Sequence, residues 1–221
     1  LPKAYQISQL DYPICYRGFV EIPVDERLGT GVRRVGITRV HLEEEAGKSV
    51  HSGTSLLDST YSLEDYNRSG IPLIEIVTEP DLRSPVEARR FLETLKLLLE
   101  YTGVSDCKME EGSLRCDANV SLRPKGETGF GVRCEIKNMN SFKAVETAIQ
   151  REAERQAELL DAGQAVVPET RGWDETLGST VFMRSKESSS DYRYFPDPDL
   201  VPIVVERDLV ERLRGLLPAM P

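Results

Sequence analysis

Carboxylates set into apolar or alternating segments are the side chains of this sequence best placed to do chemistry. The segment MEEGSLRCDANVSLR, 109–123, alternates Leu114, Cys116, Ala118 and Val120 with Ser113, Arg115, Asp117, Asn119 and Ser121. That period of two predicts a half-buried strand. VRCEIKN, 132–138, repeats the pattern, with Val132, Cys134 and Ile136 against Arg133, Glu135 and Lys137. A hairpin that sets Asp117 opposite Glu135 also sets Arg115 opposite Lys137. Like charges facing across strands cost up to about 1 kcal/mol per pair, a cost that a bound cation would remove.

Two further segments carry acids in similar company. Glu75 sits in PLIEIVT, 72–78, with apolar residues on either side, so its charge must be exposed, paired or bound to metal. HLEEE, 41–45, supplies Glu43, Glu44 and Glu45, of which Glu44 shares the parity of Val40 and Leu42 and is expected to point with them. Glu44, Glu75, Asp117 and Glu135 together suit a hard, oxygen-preferring cation such as Mg2+. Metal beside basic side chains would in turn suit a nucleoside triphosphate. Lys48, Arg68, Arg115, Lys137, Arg184, Lys186 and Arg193 are the candidate anion contacts. Plainer readings stand beside these: a run of solvated glutamates, an edge strand turning Glu75 to water, and an ion-pair network of Asp117 and Glu135 with Arg115, Arg133 and Lys137. The two histidines, His41 and His51, are too few for a histidine zinc site or a Ser/His/Asp hydrolase.

The elements that must position these residues are legible in outline. Strands are expected at 18–24, 33–43 and 72–78, with a long Gly- and Ser-rich loop over 44–61. Ser84 caps and Pro85 opens a helix running to about Tyr101, stopped by Gly103. Val86, Phe91, Leu92, Leu95, Leu98 and Leu99 form its apolar face, and Glu87, Arg89, Arg90, Glu93 and Lys96 its polar one. Ser141 caps a second long helix that closes near Gly163 and whose QREAERQAE run reads as a solvated face. Strands at 180–184 and 200–205 and a short helix capped by Asp208 complete the chain.

The sequence holds 221 residues, 37 acidic and 28 basic, a net charge of −9 that makes a poor non-specific ligand for phosphate backbones. Four cysteines without a CxxC pair point to a reducing compartment, and Cys116 and Cys134 fall on the apolar strand faces as buried small hydrophobes. No run reaches the length of a membrane span. Neither a GxxxxGK[ST] loop nor a GxGxxG fingerprint is present, so a nucleotide site would be built on a sheet.

In order along the chain stand YQISQ (5–9), GITRVHLEEEAGK (36–48), DYNRSGIPLIEIVTEPD (65–81), MEEGSLRCDANVSLRP (109–124), EIKNMNSF (135–142), ETRGWDE (169–175), MRSKE (183–187) and DYRYFPDPDL (191–200). These motifs resemble the B subunit of the aspartyl/glutamyl-tRNA amidotransferase over nearly the whole sequence. The resemblance implies an α+β fold, an antiparallel sheet flanked by helices in a glutamine synthetase/guanido kinase-like cradle. It assigns 1–206 to a kinase-like catalytic domain and 207–221 to the start of a helical linker. It implies a cytoplasmic, ATP- and Mg2+-dependent ligase that phosphorylates the side-chain carboxylate of Glu-tRNA(Gln) or Asp-tRNA(Asn). Ammonia from a partner amidase, the A subunit, then displaces phosphate, and the complex is completed by a small C subunit.

Carried over motif by motif, the metal-binding carboxylates are Glu44, Glu75, Asp117 and Glu135. The nucleotide contacts would come from Lys48, Arg68, Arg115, Lys137, Arg184 and Lys186. An upstream metal-binding segment and C-terminal tRNA-gripping domains of the family have no counterpart in the sequence, which is expected to be a catalytically incomplete portion. A module that only holds the tRNA acceptor end, and the archaeal Glu-tRNA(Gln)-specific paralogue, are the alternatives.

Overall fold

Both strong helix-start signals produce helices. Ser84, in extended backbone, accepts a hydrogen bond from the Glu87 amide, and Pro85 occupies the first helical position. Ser141 does the same for the Ala144 amide. In this computed structural model, residues 8–52, 60–185 and 199–219 are described. The elements run β1 (Cys15–Pro23), β2 (Val32–Glu44), β3 (Lys48–His51), β4 (Ser62–Asp65), β5 (Pro72–Thr78), α1 (Pro85–Tyr101), β6 (Ala118–Val120), β7 (Cys134–Lys137), α2 (Phe142–Asp161), β8 (Glu169–Asp174), β9 (Ser179–Ser185) and α3 (Arg207–Leu216). The fold is α+β, as expected. No helix among the described residues is long and apolar enough to cross a membrane.

The chain divides into two compact units. The first takes the described residues of Leu1–Phe19, Gly36–Glu79 and Asp191–Glu211, and the second those of Val20–Val35, Pro80–Ser190 and Arg212–Pro221. In the first, β2 and β5 pair antiparallel with His41 opposite Glu75, and β3 pairs with β4. Of these, β3 falls inside the expected 44–61 loop. Val50 alternates with Ser49 and His51 there, a run too short to show a strand period in a Gly- and Ser-rich setting.

In the second unit a four-stranded sheet has the order β6-β7-β8-β9. It is mixed, not purely antiparallel: β7 and β8 are parallel, with α2 as the crossover that such a pair requires. β8 lies in ETRGWDE, where glycine and the charged side chains hide a strand from pattern reading. Residues 200–205, expected as a strand, form no hydrogen-bonded ladder, and their apolar side chains are exposed. Asp208, expected as the cap, is instead the second residue of α3, in its first turn.

The core of this second unit joins Cys134 and Ile136 of β7 and Val120 of β6 to Ala144, Val145 and Ala148 of α2, while Ala88, Phe91 and Leu92 bury the inner face of α1. Helices α1 and α2 pack on each other.

Two acids expected on solvated helix faces are fully buried. Glu87 accepts from the Arg83 amide at 2.9 Å, the Asp25 amide at 3.4 Å and Arg33 Nε at 2.8 Å, which fastens the turn after β1 to the start of α1. Glu152 accepts from Arg155 at 2.7 Å, Gln156 at 2.8 Å and Thr180 at 3.1 Å, with Arg171 Nε 3.4 Å away. Gln156 also donates to the Val120 carbonyl on the sheet edge. Helical geometry explains the misreading, because Val145, Ala148, Glu152 and Gln156 are spaced three, four and four residues apart, so the buried stripe continues through polar side chains.

Burial raises the pKa of Glu152, but the hydrogen bonds from Arg155 and Gln156 outweigh it and hold the group below the ordinary carboxylate value. A lowered folded-state pKa contributes stability above the unfolded value and loses it as pH falls through the folded one. Glu152→Ala should therefore cost about 3–5 kcal/mol in urea unfolding at neutral pH, the range for stripping one partner from a buried charge network. The penalty should shrink on acidification below about pH 4. A loss under about 1 kcal/mol would show that Arg155 and Arg171 are solvated without it.

Candidate functional site

The strand register decides which acids meet. In β6 and β7, Ala118 pairs with Ile136, Asn119 with Glu135 and Val120 with Cys134. Continuing that register brings Asp117, one residue before β6, across from Lys137. The expected pairing of Asp117 with Glu135, and of Arg115 with Lys137, is thus displaced by two residues. Such a shift leaves every side chain on its face and replaces like-charge neighbours by opposite ones, which the electrostatics of cross-strand pairs favours. Burial alternates as expected along 113–120, although only Ala118–Val120 is hydrogen-bonded as strand.

Lys137 Nζ lies 3.0 Å from Glu135 Oε1 and forms a second, close ion pair with Asp117 Oδ2. Thr170 Oγ1, on β8 and buried, donates to the other Glu135 oxygen at 3.2 Å. Glu135 is thereby oriented from both sides. Partial burial pulls the Lys137 pKa down, and the two carboxylates more than offset it, so the ammonium stays charged at neutral pH. Cys116, expected to be buried, is only half-buried; desolvation and the Asp117 charge push its thiol up to about 12, which excludes it as a nucleophile near neutrality. Cys134 is fully buried, as expected.

The first unit gathers a second cluster on β2 and β5. His41, completely buried, places Nε2 3.1 Å from Glu43 Oε1 and 3.8 Å from Glu75 Oε2. One ligand atom from each of the three lies within 4.8 Å of the others. Glu75 is opposite His41 in the register, whereas Glu44 is opposite Pro72. Glu44 therefore lies on the other face of β2 from Glu75. Glu44 shares its face with Val40 and Leu42, as expected, and that is the half-buried face; the buried positions are Val35, Ile37, His41 and Glu45.

His41 and Glu43 are the residues that pattern reading passed over. Their signal was the two-residue spacing of His41, Glu43 and Glu45, which puts all three on one strand face.

The donor set of this cluster suits a divalent cation. The Nε2 of a neutral imidazole and two carboxylate oxygens leave open positions, and the nitrogen extends the preference from Mg2+ towards Mn2+ or Zn2+. Among the described residues the buried His41 Nδ1 has no hydrogen-bond partner, and the contacts that orient the ring are those of its Nε2 with the carboxylates. The cluster of Asp117 and Glu135 is all oxygen and suits Mg2+.

The basic candidates scatter more widely. Arg68 lies 3.8 Å from the buried Glu45 carboxylate. Arg115 and Arg184 are exposed, the latter, on β9, in register with Thr170 of β8. Lys48 is in register with Asp65 on β4. Lys186 and Arg193 lie outside the described residues.

Comparison with known proteins adds an independent finding. The profile of the GatB/GatE catalytic domain matches residues 1–211. Proteins named as the B subunit of aspartyl/glutamyl-tRNA(Asn/Gln) amidotransferase are similar over all 221 residues: 58% identity in Carboxydothermus hydrogenoformans, 56% in Caldicellulosiruptor saccharolyticus and 55% in Caldanaerobacter subterraneus. The chain spans 45%, 44% and 45% of those relatives, less than half of their length.

Burial, and next the Glu43 carboxylate, raise the pKa of Glu75, against the opposing pull of His41 and Arg39. An acid raised in the folded state stabilises the fold below its unfolded pKa and withdraws that stability as pH rises through the folded value. Glu75→Gln should flatten the fall in thermal midpoint as pH rises above about 4.3. Glu43→Gln should bring the Glu75 titration, followed by carboxyl 13C NMR, back towards the ordinary value. An unmoved Glu75 titration would refute the repulsion between the two.

Proposed function

The chain belongs to the GatB/GatE catalytic-domain family, and from that premise we propose that it forms the kinase-like catalytic core of the B subunit of a tRNA-dependent amidotransferase. Its substrates are ATP and the mischarged tRNAs Glu-tRNA(Gln) or Asp-tRNA(Asn). The amino acid's side-chain carboxylate attacks the γ-phosphorus of ATP and ADP leaves; ammonia then attacks the acyl carbon of the resulting acyl phosphate, the C–O bond to phosphate breaks, and the nitrogen loses a proton to give the amide and phosphate. The logic is one of leaving groups, since a carboxylate would have to expel oxide whereas an acyl phosphate expels phosphate. The ammonia comes from a partner amidase, the A subunit, and the same assembly includes a small C subunit.

The observation that supports this reading best is the convergence of Asp117 and Glu135 on one cationic charge, on a sheet that offers no phosphate-binding glycine loop. Asp117 and Glu135 in the second unit would hold Mg2+, and, separately, Glu75 with His41 and Glu43 in the first would hold an ion of their own. Such an ion, when bound, neutralises the triphosphate and stabilises the transferring phosphoryl group. Thr170 keeps Glu135 in a single orientation, and the high pKa of the Cys116 thiol excludes a competing nucleophile. Glu44, on the opposite face of β2 from Glu75, is not assigned to the same ion.

Within the full heterotrimeric complex, Asp117→Ala and Glu75→Ala should each lower ATP-dependent amide formation on mischarged tRNA by at least about a hundredfold. Glutamine hydrolysis by the amidase should persist. Undiminished transamidation in either variant would sink the metal roles. Nucleotide binding that is indifferent to Asp117 would instead favour a module that only holds the tRNA acceptor end.

A further inference from the structure

We infer that Lys137 is a built-in counter-ion, its ammonium occupying the cation position between Asp117 and Glu135 and giving it up when a divalent ion binds there. The inference rests on the reading of those two carboxylates as metal ligands, and it adds a competing ligand of the chain's own. Three features carry it. Lys137 reaches both acids at once, Glu135 Oε1 at 3.0 Å and Asp117 Oδ2 more closely. Glu135 is pinned independently through its other oxygen by Thr170, so it does not need Lys137 to hold its orientation. The Lys137 side chain is 27% exposed and Asp117 47%, so the pair opens towards solvent and a flexible four-carbon stem can swing clear.

A strand end explains why the ammonium rests there. β7 stops at Lys137, and Asn138 takes a left-handed conformation with φ 64°, one that asparagine tolerates better than most residues. Lys137 therefore leaves the sheet beside the position that Asp117 takes before β6. Without it, two carboxylates would share the site with no ammonium between them.

Competition and support make opposite predictions. A lysine that merely props the acids apart would, on removal, let them scatter and weaken metal binding. A lysine that fills the cation position would, on removal, free the site and remove a repelling positive charge.

The test is Mn2+ binding to the 221-residue chain, followed by the EPR signal of free Mn2+ with Mg2+ as competitor. A Glu75→Gln background keeps the His41 cluster out of the measurement. Lys137→Met should bind Mn2+ about tenfold more tightly, the scale expected for removing one unit charge near a surface site. Adding Asp117→Asn should abolish the gain. Lys137→Arg, which keeps the charge, should bind like the parent. Mg2+ should also raise the thermal midpoint of Lys137→Met by more than it raises the parent's.

Binding that is unchanged or weaker in Lys137→Met, with Asp117→Asn still weakening it, would overturn the counter-ion role and leave the metal reading standing. Tighter binding in Lys137→Arg as well would overturn it too, because charge would not be the cause. Mn2+ binding that never depends on Asp117 would overturn the metal reading itself, and the inference with it.

Discussion

The register at which β6 meets β7 is the constraint from which the second unit follows. With Val120 opposite Cys134 and Ala118 opposite Ile136, the inward faces of both strands lie under α2, and Gln156 can reach the Val120 carbonyl. The same register sends Lys137 to Asp117 and sets Asn119 beside Glu135. A slip of one residue would turn the core outward. A slip of two would keep the core and oppose like charges, so burial and charge must both be satisfied before a single pairing is selected.

Buried carboxylates do the remaining fastening. Glu87 ties the turn after β1 to the start of α1, and Glu152 ties α2 to β9 through Thr180 and Arg171. Arg155 and Arg171 also meet on Glu169 of β8, at 3.1 and 2.8 Å. A charge inside a fold is tolerable only where several donors replace its water, and Glu87 and Glu152 each have at least three. Such networks are directional, so they hold the parallel pair β7 and β8 in a defined relation to α2 where apolar contact alone would tolerate sliding. Thr170 and Glu135 sit on those two strands, which connects the frame to the candidate site.

The two acidic clusters solve the problem of gathered negative charge in different ways. In the first unit, the ionised form of Glu75 is disfavoured by burial and by Glu43, and His41 and Arg39 compensate only in part. In the second unit a full positive charge sits between the acids and stays there at neutral pH. In one cluster the ionised form of a single acid, Glu75, is disfavoured, and in the other an ammonium lies against both acids. Both conditions suit cation binding in a family whose relatives are named as amidotransferase subunits, and neither could be recognised from the count of acids.

The sequence by itself determined the local structure that depends on near neighbours. The limits of α1, the caps Ser84 and Ser141, the strand 72–78 and the alternation along 113–120 and 134–137 all follow from residues within one or two turns of each other. It also carried the ordered motifs that identify the family. Tertiary structure alone decided which acids meet, because cross-strand register and the choice of buried face are set by the energy of whole strands against whole helices. Glu44 went to the opposite face from Glu75 for that reason, His41 and Glu43 came to it, and Lys137 came to lie between Asp117 and Glu135. Glu87 and Glu152 read as solvent-facing in a helical pattern and became core, since the donors that complete their local hydrogen bonds, Asp25 and Arg33 for Glu87 and Thr180 for Glu152, come from residues far along the chain.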